Sequence, residues 1–321
     1  MKRVGVLTCG GDAPGMNPCI RAVVRTALHH GFEVLGVHHG YSGLIDAEFE
    51  LMDARSVGGI IQKGGTILST ARSPEFMTQA GQAKAVRNLG EQDIDALVVI
   101  GGDGTQRGSL TLHEAGVSVV GIPSTIDNDL AFTDVAIGVD TALNTILDAV
   151  DKIKDTASSH HRAFLIETMG RNSGYLALMA GVAGGAEVIV LPEEPTDLEE
   201  LAHEIAAAYE RGKAHFIAIV AEGATPHIQE IADHLGRQEL GYEVRVSILG
   251  HIQRGGSPSA FDRILATRLG IAAVDQLVAG KTGRMVGLVG NQIAETDLAE
   301  VARTAKKPDL EFYRRASILA R

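Results

Sequence analysis

The chain has 321 residues, 45% of them hydrophobic, and a formal net charge of −11. That length suits two α/β lobes better than one core, since single cores stop growing at roughly 250–300 residues, and the apolar content excludes a disordered chain. The acidic balance argues against a nucleic-acid partner, and 38 glycines with only 4% aromatics suit backbone-lined ligand sites rather than base-stacking surfaces.

A strand is expected at 4–8, running into CGGDAPGMN and then a helix, with Asn17 as its cap, Pro18 at its first position and Gly31 as its stop. Strand, glycine turn and helix start is the usual geometry for an anion at backbone N–H groups. The turn matches neither G-x-x-x-x-G-K-[ST] nor G-x-G-x-x-G, and a tight turn that merely needs glycine reads as well. Strand 33–37 follows. The loop Thr70-Ala71-Arg72-Ser73-Pro74 then leads into a helix over 74–89. Arg72 there could bridge phosphates or sit solvated at the helix start.

Strand 96–100 opens into Gly101-Gly102-Asp103-Gly104-Thr105 and a helix over 105–115. The glycines let a polyphosphate approach the backbone, and Asp103, the carboxylate of the turn, could hold Mg²⁺ directly or through water. GGDGT occurs in several kinase families, NAD kinases and lipid kinases among them, and alone says only that nucleotide phosphates bind. Strand 117–122 ends in Pro123-Ser124-Thr125-Ile126-Asp127-Asn128-Asp129. A hydroxyl nucleophile needs a carboxylate to take its proton; Asp127 would be that base and Asp129 would orient it or contact the metal shell. An inert Asx-rich turn fits the loop equally.

Helices at 139–156, 173–183, 198–211 and 259–279 alternate with strands at 163–167, 187–191, 216–221, 244–249 and 285–289. The alternation predicts an α/β chain of two doubly wound, mostly parallel-sheet lobes, with ligands beyond the carboxyl ends of strands. A break falls near Gly138. Two cysteines, Cys9 and Cys19, make no disulfide framework, the opening MKRVGVLTCGG is too short for a signal segment, and no stretch approaches a membrane span. A cytoplasmic protein is expected.

GGDAPGMN, GGDGT, TIDND, Glu167-Thr168-Met169-Gly170-Arg171 and Gly250-His251-Ile252-Gln253-Arg254-Gly255-Gly256-Ser257-Pro258 occur in that order along the chain. Together they resemble bacterial-type ATP-dependent 6-phosphofructokinases over essentially the full length. The resemblance implies transfer of the ATP γ-phosphoryl group to the 1-hydroxyl of fructose 6-phosphate, the committed step of glycolysis. It implies an ATP-binding lobe of 1–138 plus about 251–300 and a sugar-phosphate lobe of 139–250 plus about 301–321. ATP phosphates would lie against Gly11, Gly102, Asp103, Gly104 and Thr105, with Arg72 and Ser73 alongside, Tyr41 near the adenosine and Mg²⁺ on Asp103. Asp127 would be the base, with Thr125 and Arg171 stabilising the transferring group. His251 and Arg254 match the ligands of the sugar 6-phosphate. Arg162 and Arg245 match arginines reaching it from a neighbouring subunit, Glu222 a carboxylate on sugar hydroxyls, and Met169 and Gly170 the pocket wall.

A site shared between subunits implies an obligate oligomer, here a homotetramer of dihedral symmetry. An effector pocket for ADP or phosphoenolpyruvate is also implied, from Arg21, Arg25, Lys154, Gly185, Glu187, Arg211, Lys213 and His215, with Glu187 on effector-bound Mg²⁺. The family's usual arginine and aspartate are replaced by Ala54 and Gly59, and Arg55 could substitute for the former. Pyrophosphate-dependent relatives carry Asp at the position of Gly104 and Lys at that of Ser124, so ATP is the expected donor. Three other readings remain: a pyrophosphate-dependent relative, an NAD or lipid kinase sharing GGDGT, and a non-enzymatic sensor of sugar phosphates or nucleotides.

Overall fold

Runs of Val, Ile and Leu separated by glycine turns give the strands of the computed structural model, which describes residues 1–316 and 318. The chain divides into two compact units: Met1–Thr141 with Arg254–Lys306, and Ala142–Gln253 with Lys307–Arg321; residues 317 and 319–321 of the last segment lie outside the described residues.

Unit 1 begins with β1 (Arg3–Cys9), α1 (Met16–His29), β2 (Glu33–Val37), α2 (Tyr41–Asp46) and β3 (Phe49–Met52). It continues through α3 (Gln79–Glu91), β4 (Ala96–Gly101), α4 (Asp103–Glu114) and β5 (Ser118–Pro123). Helix α5 (Val139–His160) carries the chain into unit 2, which holds β6 (Arg162–Thr168), α6 (Tyr175–Gly184), β7 (Val188–Val190), α7 (Leu198–Glu210), β8 (Phe216–Ala221), α8 (Ile228–Leu235) and β9 (Glu243–Ile248). The chain returns to unit 1 for α9 (Ala260–Val278), β10 (Arg284–Val289), β11 (Gln292–Asp297) and α10 (Leu298–Arg303), and α11 (Leu310–Ala316) belongs to unit 2.

The seven-stranded sheet of unit 1 has the order β11-β10-β5-β4-β1-β2-β3. Its five inner strands are parallel, and β3 and β11 close its edges antiparallel. Strand β4 explains the unbroken apolar runs. Ala96, Val98 and Ile100 pack in one core with α1 and α9, while Leu97 and Val99 face another on the opposite side. A strand covered on both faces has no polar alternation to show. Unit 2 has a fully parallel sheet, β7-β8-β6-β9, with its own core around Leu165, Ala218 and Ile231.

Three local expectations are corrected. Asn17 does not cap α1, which starts at Met16 after Gly15 in a left-handed φ of 121°. Its buried amide instead donates to the carbonyls of Lys63 and Gly64 and accepts from the Ile67 N–H at 2.8 Å, fixing that loop. The helix expected over 74–89 is broken at Thr78, whose extended backbone ends a 3₁₀ turn at Glu75–Met77 and whose hydroxyl caps α3 by accepting from Gly81 N–H. The edge strands β3 and β11 were not anticipated; half-exposed and charged, they lack the apolar run of their parallel neighbours.

The joint between β5 and α5 depends on a buried carboxylate. Asp262, wholly buried at the start of α9, accepts from Gly138 N–H and Thr141 N–H at 2.8 Å each and from the Thr141 hydroxyl at 2.6 Å. Asp262→Ala would strand these buried donors and is expected to cost about 3 kcal/mol, lowering the thermal midpoint by about 6–12 °C in a melting experiment. A midpoint within a degree or two of the parent would contradict this role.

Candidate active site

The carboxyl ends of β1, β4 and β5 open onto one cavity of about 640 Å³ in unit 1. Gly11, Tyr41, Arg72, Ser73, Gly102, Asp103, Gly104, Thr105, Ser124, Thr125, Asp127, Asp129 and Arg254 all line it. Strand β4 ends at Gly101 and α4 starts two residues later, with Gly102 at its cap position and no side-chain cap hydrogen bond among the described residues. Free N–H groups at the positive end of a helix make an anion site. The turn is set by Thr105, whose hydroxyl donates to the Cys9 carbonyl at 3.0 Å and so ties the second glycine turn to the first. At Gly104, apart from its chain neighbours and the adjoining helix backbone, no atom of the described residues lies within 4 Å of where a Cβ would project. The Tyr41 hydroxyl donates to the Thr105 carbonyl at 2.6 Å, and its ring stacks on Phe76 with centroids 4.1 Å apart. Arg254 Nη1 donates to the Asp12 carbonyl at 3.3 Å, placing its guanidinium over the first glycine turn.

The loop from Ser124 to Asp129 leaves β5 pinned on both flanks. Ser124 N–H donates to the Gly101 carbonyl at 3.0 Å, Thr125 N–H to the Ile137 carbonyl at 3.1 Å, and Asp127 N–H to the Thr125 hydroxyl at 3.2 Å. Asn128 adopts a left-handed φ of 48°, which its short amide tolerates while it binds Asp134 and Ala136. Burial pushes the Asp129 carboxyl up, and the charges of Asp127 and Asp103 add to that. Its Oδ1 is buried and takes no hydrogen bond among the described residues. Such an oxygen calls for a cation or a proton.

Sequence reasoning missed Arg107, Phe76 and Met77 in the same cavity. Arg107 sits one turn after Asp103 on α4, with Nε 2.8 Å from Oδ2. The i,i+4 spacing was legible, but the start of α4 was placed too late to use it.

In unit 2, β6 and β8 end side by side. Glu222 N–H donates to the Thr168 carbonyl at 2.8 Å and Gly223 N–H to the Gly170 carbonyl at 3.0 Å. Arg171 Nε meets Glu222 Oε1 at 3.1 Å. Gly170 takes a φ of 129° with a would-be Cβ 2.3 Å from the Ser173 carbonyl, a position only glycine fills. Met169 N–H donates to Gln253 Oε1 at 3.1 Å, anchoring the turn that carries the exposed His251. Nearby Glu167 is pushed up by burial and by the Glu222 charge. Arg162 and Arg245 do not join this group. Arg162 opens β6 and pairs with Glu243 at 2.7 Å, and Glu243 also pairs with Arg245. Met169 lies seven positions along from Arg162, about 23 Å at the usual rise.

The effector candidates fall in two groups. In unit 1, Arg21 and Arg25 lie one turn apart on α1, and Arg25 Nη2 donates to the Ala54 carbonyl at 3.5 Å, beside the turn that holds Arg55. In unit 2, Glu187 accepts from Ile217 N–H at 2.7 Å and pairs with Lys213 at 3.3 Å. Lys154 donates to the Gly184 carbonyl next to Gly185, and His215 Nδ1 meets the Ser158 hydroxyl at 2.8 Å. A cavity of about 590 Å³ is lined by Gly185, Glu187 and Arg211 together with residues of α7.

The family profile described as Phosphofructokinase matches residues 3–277. The chain is 52% identical, over the whole of both sequences, to a protein of Halothermothrix orenii named ATP-dependent 6-phosphofructokinase. Among solved structures it superposes on phosphofructokinase from Saccharomyces cerevisiae with a TM-score of 0.88 and 39% identity, covering 94% of this chain and 45% of that one. It superposes on pyrophosphate-dependent phosphofructokinase from Marinobacter aquaeolei with a TM-score of 0.86 and 25% identity, covering 97% of this chain and 86% of that one.

Proposed function

Because the chain belongs to the phosphofructokinase family, kinases whose acceptor is an alcohol, we propose that it transfers the γ-phosphoryl group of ATP to the 1-hydroxyl of fructose 6-phosphate. The observation that carries this reading is the single cavity in which both glycine turns, Asp103, Asp127 and Asp129 meet. It joins an anion cradle to a carboxylate base, which a nucleotide sensor would not need and which GGDGT alone does not supply.

The uncapped start of α4 and the first glycine turn hold the donor's phosphates, with Arg72 as their counter-charge. Asp127 takes the proton of the sugar hydroxyl as its oxygen bonds to the γ-phosphorus and the bond to the ADP oxygen breaks. Thr125 and Arg171 act on the transferring group, and His251, Arg254, Glu222, Met169 and Gly170 on the sugar phosphate. Mg²⁺, when bound, neutralises the charge of the phosphates. Among the described residues no cluster of three or more His, Cys, Asp or Glu could hold a metal. Asp103, backed by the buried Asp129 oxygen, fits an ion that takes one or two carboxylates and completes its shell with phosphate and water.

Since Arg162 opens β6 and Arg245, on β9, pairs with Phe164 near that same end, we assign them to a neighbouring subunit's sugar phosphate, in a homotetramer. The arginines Arg21, Arg25 and Arg55, with Lys154, Gly185, Glu187, Arg211, Lys213 and His215, are assigned to ADP or phosphoenolpyruvate, and Glu187 to that effector's Mg²⁺. Both cysteines are free and buried, which fits a reducing cytoplasm. Among the described residues no helix is long and apolar enough to cross a membrane.

The test is an assay for fructose 1,6-bisphosphate with ATP and pyrophosphate compared at saturating Mg²⁺. Turnover with ATP alone is expected. Turnover with pyrophosphate instead would overturn the donor, and silence with both would favour a sensor.

A further inference from the structure

The catalytic loop is held from behind by the last residues of unit 1. Leu130 pairs with Ala305 in an antiparallel bridge. The next residue, Lys306, donates from Nζ to the Thr133 carbonyl at 2.6 Å and to the Asp134 carbonyl at 2.8 Å. The Asp134 carbonyl also accepts from the Asn128 amide at 3.0 Å. Asn128 follows Asp127 directly, so one carbonyl links the Lys306 ammonium to the residue that sets the Asp127 backbone. Asp134 is itself fixed, its N–H donating to the Leu288 carbonyl and its Oδ2 accepting from Gly290 N–H, each at 2.6 Å. The anionic groups facing Lys306 are Asp134 and Asp129. For Asp129, burial and then the charges of Asp127 and Asp103 oppose ionisation, while a backbone hydrogen bond and the Lys306 charge favour it.

We propose that Lys306 is a positioning residue for phosphoryl transfer: its ammonium fixes the Asp134 carbonyl that Asn128 shares and so holds the loop that presents Asp127. The inference rests on Asp127 being the base. A lysine that merely closed the end of a domain would bind the same carbonyls without bearing on turnover, and the two roles separate in kinetics. Burial holds the Lys306 ammonium down at about 8, so its charge is present below that pH and lost above it.

The experiment is the pH profile of kcat, with KM for both substrates, for the full-length protein and for Lys306→Met, Lys306→Arg and Asp127→Ser. The wild type is expected to lose kcat on an alkaline limb near pH 8. Lys306→Met should lower kcat at pH 7 about ten-fold or more, with both KM values within about three-fold. Lys306→Arg, which does not titrate in this range, should keep at least about a third of kcat and move the limb above pH 9 or so. Lys306→Met within two-fold of wild type, a loss confined to KM, or a limb that Lys306→Arg leaves in place would overturn the inference; if Lys306→Met does not fold, the arginine profile decides. Turnover surviving in Asp127→Ser would remove the base assignment itself, whereas an inactive Asp127→Ser beside unaffected Lys306 variants would sink only the role of Lys306.

Discussion

Asp127→Ser is expected to lower kcat by about 10²–10⁴-fold while KM for ATP stays within a few-fold. The size follows from the step it removes. In a loose phosphoryl transfer the enzyme supplies position, charge neutralisation and a proton acceptor, and only the last is lost here. The substituted side chain ends a loop fixed by backbone bonds from Ser124 and Thr125 and by both amide atoms of Asn128, so the loop keeps its course. Gly11, Gly102, Asp103 and Thr105 line the same cavity from other turns, which the substitution does not touch. The measurement is steady-state kinetics with a parallel binding titration using a non-hydrolysable ATP analogue. A variant that binds the analogue normally and has lost turnover matches the assignment. One that keeps turnover within ten-fold moves the base elsewhere, and Asp129 would be the next residue to replace, since its carboxyl is already pushed up by burial and by two neighbouring charges.

The parallel core of the molecule was legible because fully covered strands leave unbroken apolar runs, and β4 and β8 read directly from their sequences. The antiparallel edges were not, because Phe49–Met52 and Gln292–Asp297 carry exposed and charged positions that resemble loops. The motif residues were legible in the turns that follow β1, β4 and β5, where glycine and aspartate stand out. What escaped were groups that act through tertiary position. Arg107 reaches the cavity only because α4 starts at Asp103. Lys306 lies 177 positions after Asp129 and meets its loop through a bridge that no local pattern announces. Asn17 misled in the opposite way. Its pairing with Pro18 is a good local capping signal, and tertiary bonds to residues 63, 64 and 67 overrode it.

Gly104→Asp is expected to cut kcat/KM for ATP by about 10²–10³-fold without destabilising the fold. A carboxylate here would face the donor's phosphates, and two unit charges about 4 Å apart repel by about 4 kcal/mol at an effective dielectric of 20, of which solvent and Mg²⁺ remove part. Stability should be spared for two reasons. A Cβ at 104 meets nothing within 4 Å among the described residues beyond its chain neighbours and the adjoining helix backbone, and an acidic side chain in the first turn of α4 interacts favourably with the helix dipole. The loss should therefore appear in the donor's KM and kcat together, while the thermal midpoint and KM for fructose 6-phosphate hold. Pyrophosphate, being shorter, distinguishes two causes. If Gly104→Asp gains measurable turnover with pyrophosphate as it loses ATP, position 104 selects the donor by excluding the α-phosphate. If it loses both equally, the added charge acts on the phosphates common to the two donors, and the choice between them must lie with Ser124, whose buried hydroxyl lines the same cavity.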